Sequence, residues 1–168
     1  DLLEVNEAIT FWKAKGLDFS KILHRPEARP EDTRNTAPQE HSLETALDRE
    51  ILAAVEGAIE TLQPVNVTLP IRNVHRTVGT LASSRIARKH GAEGLPENTI
   101  NLHFQGSAGQ SFAAFCSKGM TFLLEGEAND YLGKGLSGAK IVVKPQPGSD
   151  FDPAENIIVG NVALYGAT

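Results

Sequence analysis

The sequence contains a single cysteine among its 168 residues, which excludes several kinds of protein. Cys116 has no partner for an internal disulfide and belongs to no cysteine cluster of the kind that binds an iron–sulfur centre. A lone cysteine is most often a small buried hydrophobic residue, so a core position is predicted for Cys116 rather than a nucleophilic role. The five histidines include no pair four residues apart, and no metal site is predicted.

Positive charge and long apolar runs are also scarce. The net charge is -5 and no basic run is longer than Arg88-Lys89-His90, so nucleic acid is not expected as a partner. No apolar stretch approaches the roughly 20 residues that cross a bilayer, and the start does not resemble a secretory signal. Together with the lone cysteine, this predicts a cytoplasmic protein without membrane contact. The chain begins Asp-Leu-Leu-Glu without methionine, which suggests an internal piece or a processed chain.

A short repeat organises the second half of the chain, residues 100–168. Alternating apolar residues followed by glycine and a small residue occur at 102–108 and again at 122–128, with a looser copy at 158–162. Alternation indicates strands, and a regular repeat indicates stacked units that share a core. The predicted fold is therefore mainly β, a right-handed parallel β-helix with flanking α-helices and an extended N-terminal linker. The predicted corners of its coils are Gly106, Gly126, Gly133, Gly135, Gly138, Gly160 and Gly166.

Helix and strand signals precede and interrupt the repeat. A helix is predicted at 43–62, where apolar residues recur every four positions after a potential N-cap, Ser42. Residues 65–71 alternate and predict a strand, and a second helix is predicted at 77–90. Residues 110–116 are compatible with a short helix. The proline-rich segment 144–153 is predicted to be a surface excursion.

The first 42 residues carry a weaker pattern. Apolar residues from Leu2 onward predict a helix that ends near Gly16, and three prolines lie among polar residues between His24 and Gln39. We therefore predict three parts: the end of a preceding domain at 1–23, a linker at 24–42, and one domain at 43–168 that is truncated at its C-terminus.

One motif has an alternative interpretation in terms of ligand binding. Residues 133–138, Gly-Lys-Gly-Leu-Ser-Gly, fit the GxGxxG fingerprint of dinucleotide sites. That fingerprint requires a helix after the loop, because the helix N-terminus receives the pyrophosphate. Here a strand-like segment follows, so coil corners are the favoured interpretation. Asp150, Asp152 and Glu155 only partly match calcium-loop spacing, and Pro153 favours a turn. No catalytic, cofactor-binding or metal-binding residue is predicted.

Four stretches of the chain resemble one known family. They are 64–80 (Pro-Val-Asn-Val-Thr-Leu-Pro-Ile-Arg-Asn-Val-His-Arg-Thr-Val-Gly-Thr), 100–115, 126–139 (Gly-Glu-Ala-Asn-Asp-Tyr-Leu-Gly-Lys-Gly-Leu-Ser-Gly-Ala) and 160–168. On these residues the chain resembles the C-terminal GXGXG domain of the glutamate synthase large (alpha) subunit, and most nearly that of bacterial NADPH-dependent enzymes. Residues 15–21 resemble the end of the family's flavin-bearing synthase domain.

The resemblance implies a parent enzyme that converts glutamine and 2-oxoglutarate, with NADPH, to two glutamates. It implies an amidotransferase domain and a synthase domain with FMN and a 3Fe-4S cluster in the same polypeptide, and a small subunit that oxidises NADPH through FAD. The GXGXG domain is then an interdomain scaffold without chemistry of its own. The alternative is a free-standing domain that binds a nucleotide or small ligand on its glycine-rich face.

Overall fold

The structure, a computed structural model, describes residues 12–168. It divides the chain into two compact units, 1–41 and 42–168. Among residues 12–41 the regular elements are two short 3-10 helices, Ala14–Gly16 and Pro30–Thr33, and none of these side chains is buried. Residues 1–11, which hold most of the helix predicted to end near Gly16, lie outside the described residues. The three-part division of the chain stays a prediction.

The second unit begins with a helix whose apolar spacing determines its buried face. A 3-10 turn, Leu43–Thr45, comes first, and helix α1 covers Leu47–Thr61. The predicted N-cap is wrong, because Ser42 has a left-handed backbone (φ 51°) and makes no capping hydrogen bond. Three residues four apart on α1, Ile51, Val55 and Ile59, are fully buried, as the apolar spacing predicted.

Strand β1 and helix α2 follow α1 in the chain. Strand β1 covers Val65–Ile71, as predicted, and its Pro70 is tolerated because β1 is an edge strand. Helix α2 covers Thr80–His90, three residues shorter than predicted, because Gly79 before it has a left-handed backbone (φ 99°). It ends at His90, as predicted, and Gly91 follows as the C-cap. Ala82 and Ile86 on α2 are fully buried.

Strands β2 (Ile100–Ala108), β3 (Met120–Ala128) and β4 (Lys140–Lys144) complete one parallel sheet in the order β1-β2-β3-β4. The two copies of the repeat pair exactly in register, with Ile100 beside Met120 and Gly106 beside Gly126. Alternate residues of β2 and β3 therefore enter the core. Two of these residues, Phe104 and Phe122, form an aromatic cluster with Phe112. The centroid of the Phe112 ring lies 5.3 Å from that of Phe104 and 5.6 Å from that of Phe122.

The prediction of a mainly β, right-handed parallel β-helix is wrong. The second unit is a small α/β domain in which one four-stranded parallel sheet packs with two helices. The repeat gave in-register strands, but the residues between them do not form further sheets. Residues 110–115 and 130–135 form hydrogen-bonded turns, the compatible short helix at 110–116 is absent, and the copy at 158–162 contributes only an isolated bridge from Val159 to Ala128.

One hydrophobic core joins the helices, the sheet and the first turn. It includes Ile51 and Ile86 from the helices, Phe104 and Phe122 from the sheet, and Cys116 from the end of the turn. Among residues 12–168, no helix has the length and apolar character needed to span a membrane.

Candidate functional site

Three turns between and after the strands repeat one unusual backbone conformation. In each of the segments 110–115, 130–135 and 161–166, every second residue has a left-handed backbone. The positions are Ser111, Ala113 and Phe115, then Tyr131, Gly133 and Gly135, then Val162, Leu164 and Gly166, with φ between 56° and 68°. This conformation is unfavourable for most residues other than glycine. Six of the nine positions are not glycine, so surrounding contacts must hold the turns in place.

Backbone hydrogen bonds between successive turns supply those contacts. Ser111 N donates to Asp130 O (2.9 Å) and Tyr131 N donates to Asn161 O (2.9 Å). In the opposite direction, Gly133 N donates to Phe112 O (2.8 Å). The N–H groups of successive left-handed residues point alternately toward the next turn and the previous one, as those of Tyr131, Gly133 and Gly135 do. The turns thus form a stack. Its layers follow the same order as the strands of the sheet but have a different backbone geometry.

The loop before α2 is the first layer of this stack. Thr77 has a left-handed backbone, and its N–H donates to Gln110 O (2.9 Å). Ala113 N donates to Val78 O (2.9 Å). We call the four segments 77–79, 110–115, 130–135 and 161–166 the turn stack.

The glycines predicted as coil corners lie in two environments. Gly106 and Gly126 lie within β2 and β3, with φ of 128° and 152°, and a Cβ on either would collide with a backbone carbonyl of the preceding strand. The remaining five lie in or beside the turn stack: Gly133, Gly135, Gly138, Gly160 and Gly166.

Close contacts explain most of these turn glycines. A Cβ on Gly133 would meet Leu164 Cδ2 at 2.7 Å, and one on Gly135 would meet the ring of Phe115 at 2.5 Å. A Cβ on Gly160 would meet Asp130 Oδ1 at 2.5 Å, whereas Gly166 has open space. Strand β4, not a helix, follows residues 133–138, so the geometry that the dinucleotide fingerprint requires is absent there. The role of these glycines as coil corners stays a prediction.

Asp48 is a structural residue that sequence reasoning missed. An acidic residue near the start of a helix commonly interacts with that helix's own dipole. Instead, the side chain of Asp48 is buried, and its two oxygens accept hydrogen bonds from Gly79 N (2.5 Å) and Leu81 N (2.8 Å) at the start of α2. Burial raises the pKa of Asp48, and the backbone N–H groups partly offset that shift. Asp48 therefore caps α2 from another helix and connects α1 to the turn stack.

Cys116 lies in the same part of the core. Its side chain is fully buried, and its thiol donates to Ala114 O (3.5 Å). Burial, followed by the negative charge of Asp48, raises the pKa of the Cys116 thiol well above its usual range. The reactive thiolate is therefore disfavoured, and the position agrees with the prediction of a core residue.

A cluster of charged residues crosses the outer face of the sheet. Glu125 on β3 is largely buried, and its Oε1 lies 2.9 Å from Lys144 Nζ on β4. Its Oε2 accepts a hydrogen bond from Gln105 Nε2 (3.0 Å) and lies 2.9 Å from His103 Nε2, both on β2. The Lys144 ammonium, with Gln105, lowers the pKa of Glu125 from 4.5 to about 2. These contacts tie three neighbouring strands together.

Ion pairs also join the two helices. Arg85 on α2 pairs with Glu56 on α1 (2.9 Å), and Lys89 pairs with Glu60. Asp152 accepts the N–H of Ala154 (2.8 Å) in a turn. Within residues 12–168, no group of three His, Cys, Asp or Glu side chains is placed to bind a metal ion.

One known family matches most of the second unit. The family model described as the GXGXG motif matches residues 48–168, which begin at the capping Asp48. The chain belongs to the GXGXG family.

Curated relatives of this GXGXG chain are glutamate synthases. It is 48% identical to the glutamate synthase [NADPH] large chain of Bacillus subtilis over 171 residues, which cover 100% of this chain and 11% of that protein. It is 46% identical to glutamate synthase [NADH] of Saccharomyces cerevisiae over 93% of this chain and 7% of that protein. It is 42% identical to ferredoxin-dependent glutamate synthase 2 of Synechocystis over 100% of this chain and 11% of that protein. The resemblance to a glutamate synthase domain is thereby confirmed, and the chain spans about a tenth of the length of these relatives.

The charged cluster predicts how stability of the GXGXG domain depends on pH. The folded-state pKa of Glu125 lies below its ordinary value, so the cluster contributes stability above pH 4.5. We expect that contribution to decline as pH falls from 4.5 toward about 2. Urea unfolding at several pH values should show this decline in the unmodified protein and a smaller one in Glu125→Gln.

The matched control is Glu97→Gln, at an exposed position before β2. It should retain the acid decline of the unmodified chain. An identical pH dependence in Glu125→Gln and the unmodified chain would contradict the assignment.

Proposed function

We propose that this chain is a rigid interdomain scaffold module of glutamate synthase. The parent enzyme converts L-glutamine and 2-oxoglutarate, with NADPH, to two molecules of L-glutamate in the cytoplasm. Its amidotransferase and synthase domains flank the module, and a rigid support between them keeps the two active sites at a constant separation. A reactive intermediate then passes from one site to the other without loss to solvent.

The observation that carries this proposal is the turn stack. Its backbone is bonded from layer to layer in both directions, as by Ser111 to Asp130 and by Gly133 to Phe112. Parallel strands in register and a shared aromatic core support the same residues from one side. Such a unit resists bending because any change in separation between layers breaks several hydrogen bonds at once.

The electron donors in the relatives' names favour a structural role as well. The three relatives are named for NADPH, NADH and ferredoxin, yet their identities to this chain lie within a narrow range, from 42% to 48%. A module that recognised the electron donor would have to differ among these enzymes. A support for the shared part of the reaction would not.

The proposed cofactors of the parent are FMN, a 3Fe-4S cluster and, on a small NADPH-oxidising subunit, FAD. The described residues of this chain do not fit them. The single cysteine is buried in the core, and the glycine-rich loop 133–138 is followed by a strand. We therefore assign flavin and cluster binding to other parts of the parent enzyme.

A substitution in the turn stack tests the proposal in the full-length enzyme. Gly160→Val would force Asp130 away from the last layer, because even a Cβ would lie 2.6 Å from Asp130 N. We expect glutamine hydrolysis to continue while the yield of glutamate per glutamine consumed falls. The measurement is the ratio of glutamate formed to glutamine consumed, at equal protein concentration.

Gly57→Ala on the exposed face of α1 is the control, since a Cβ there meets nothing within 4 Å. It should leave the ratio unchanged. A normal ratio in Gly160→Val, with a melting temperature showing that the layer has been disturbed, would overturn the scaffold role. Where Gly160→Val does not fold, Gly160→Ala supplies the same comparison with a smaller side chain.

A further inference from the structure

The loop between β1 and the turn stack, residues 72–76, is held rigidly. Within it, His75 N donates to Arg72 O (2.8 Å), and Arg72 N donates to His75 Nδ1 (3.2 Å). Gly109 N donates to His75 O (3.1 Å), and the Asn129 side chain donates to Asn73 Oδ1 (2.9 Å). Two bonds therefore close the loop on itself, and two fix it to residues that follow β2 and β3.

This rigid loop exposes an apolar side chain between two arginines. Val74 is 71% exposed at the tip of the loop. Arg72 and Arg76 are exposed, and neither forms an ion pair with any residue in the range 12–168. An exposed apolar residue on an ordered loop has no role in the core of this domain. The two unpaired arginines beside it add positive charge to a chain whose net charge is -5.

Next to the loop lies an open groove that reaches the start of α1. It consists of two adjoining cavities of about 590 Å³ and 420 Å³, which share Arg72 and His75 on the loop side and residues 45–47 on the helix side. On the helix side, Arg49 adds one positive charge, and Glu44 and Glu50 add two negative charges. The surplus of positive charge is thus on the side of the groove that belongs to the loop.

We propose that residues 72–76 and the adjoining groove form a docking site for an acidic protein segment of the parent enzyme. Carboxylates of that segment pair with Arg72 and Arg76, and an apolar side chain of the same segment covers Val74. The proposal rests on the proposed function, because it supplies a contact through which a scaffold is attached to a neighbouring part of the enzyme.

The mixture of exposed groups favours a protein segment over a small anion. Phosphate or a free dicarboxylate would pair with Arg72 or Arg76 but would leave Val74 in water. A protein segment satisfies both, and arginine beside an apolar anchor is typical of the residues that dominate protein–protein affinity. The hydrogen bonds that fix the loop reduce the entropy lost on docking, because the bound conformation already exists.

Site-specific photo-crosslinking in the full-length enzyme tests the proposal. A benzophenone amino acid replaces Val74 in one variant and Ile157 in the control, since Ile157 is an exposed apolar residue (88%) on a different loop. We expect a crosslink from position 74 to a segment rich in Asp and Glu. Adding Arg72→Glu and Arg76→Glu should reduce its yield about tenfold or more, because opposed charges become like charges. Reversing the charge of the crosslinked acidic residues should restore it.

Three results would overturn the docking site: no crosslink from position 74, equal yields from positions 74 and 157 into the same segment, or a yield unaffected by the double charge reversal. Small anions are tested by thermal shift with inorganic phosphate and with 2-oxoglutarate. A saturable shift that is lost in Arg72→Glu, without a crosslink, would replace the protein partner with a small anion. The glutamate-to-glutamine ratio of Gly160→Val is measured independently, so failure of the docking site and failure of the scaffold role are distinguishable.

Discussion

Gly126→Ala is expected to lower the free energy of unfolding by roughly 2–5 kcal/mol, one of the two largest effects predicted for this chain. The added Cβ would collide with the carbonyl oxygen of Gly106, which is backbone and is held in register by the sheet. The φ of Gly126, 152°, is also unfavourable for any residue with a side chain. Both effects act on the same residue, and relief requires β2 and β3 to separate. Urea denaturation at neutral pH measures the change.

Gly57→Ala provides the same chemical change where the structure predicts the opposite sign. Gly57 lies within α1, is exposed and has no atom within 4 Å of its potential Cβ, so alanine should raise stability by about 0.5–1 kcal/mol. Equal effects at the two positions would contradict the close approach of β2 and β3. Both variants make the same glycine-to-alanine change in one protein, so the same assumption about the unfolded state applies to both.

Asp48→Asn is expected to lower the free energy of unfolding by roughly 2–4 kcal/mol. The carboxylate has two acceptor oxygens, one for Gly79 N (2.5 Å) and one for Leu81 N (2.8 Å). An asparagine amide retains one acceptor and places its NH2 group against the other backbone N–H. One buried donor then lacks a partner, and the start of α2 loses its cap. Chemical denaturation and hydrogen exchange of residues 79–81 measure the loss.

The control for Asp48→Asn is Glu50→Gln, which makes the same carboxylate-to-amide change two residues along the same helix. Glu50 is exposed, and its substitution should alter stability by less than about 0.5 kcal/mol. If Asp48→Asn were as mild as Glu50→Gln, the cap between helices would contribute little. Loss of exchange protection throughout α2, rather than at its first turn alone, would indicate that the helix depends on Asp48 for docking as well as for capping.

Local sequence patterns predicted the regular elements but not how they combine. Apolar spacing identified the buried face of α1 through Ile51, Val55 and Ile59, and alternation identified β1 and the pairing of 102–108 with 122–128. These signals are strong because a helix or strand with one buried face must repeat at its own period. The family resemblance drew on longer stretches and identified the glutamate synthase domain that the comparisons confirm.

The connections between strands could not be predicted in the same way. The turn stack uses a left-handed backbone at Ser111, Ala113 and Phe115, and none of these residues favours it. Its stability comes from hydrogen bonds to layers up to 35 residues away, as from Ala113 to Val78, which no local propensity contains. The capping role of Asp48 could not be predicted for a similar reason, since its partners Gly79 and Leu81 lie at the start of another helix. A position-by-position comparison of segments 110–115, 130–135 and 161–166 would have revealed the turns. In that comparison, a left-handed position that is glycine in one segment is not glycine in another.

The uneven spacing of the layers has a practical consequence for labelling. The corresponding residues Ser111 and Tyr131 are twenty positions apart in the sequence, whereas Tyr131 and Val162 are further apart. The layers are nevertheless bonded in the same way, by Ser111 N to Asp130 O and by Tyr131 N to Asn161 O. The additional residues lie in the exposed segment 145–157, outside the stack. Since lengthening a surface loop costs little free energy, a peptide tag or fluorophore inserted near Gly148 should leave the layers intact. Distances between that probe and a second one elsewhere in the enzyme would then report domain movement during turnover.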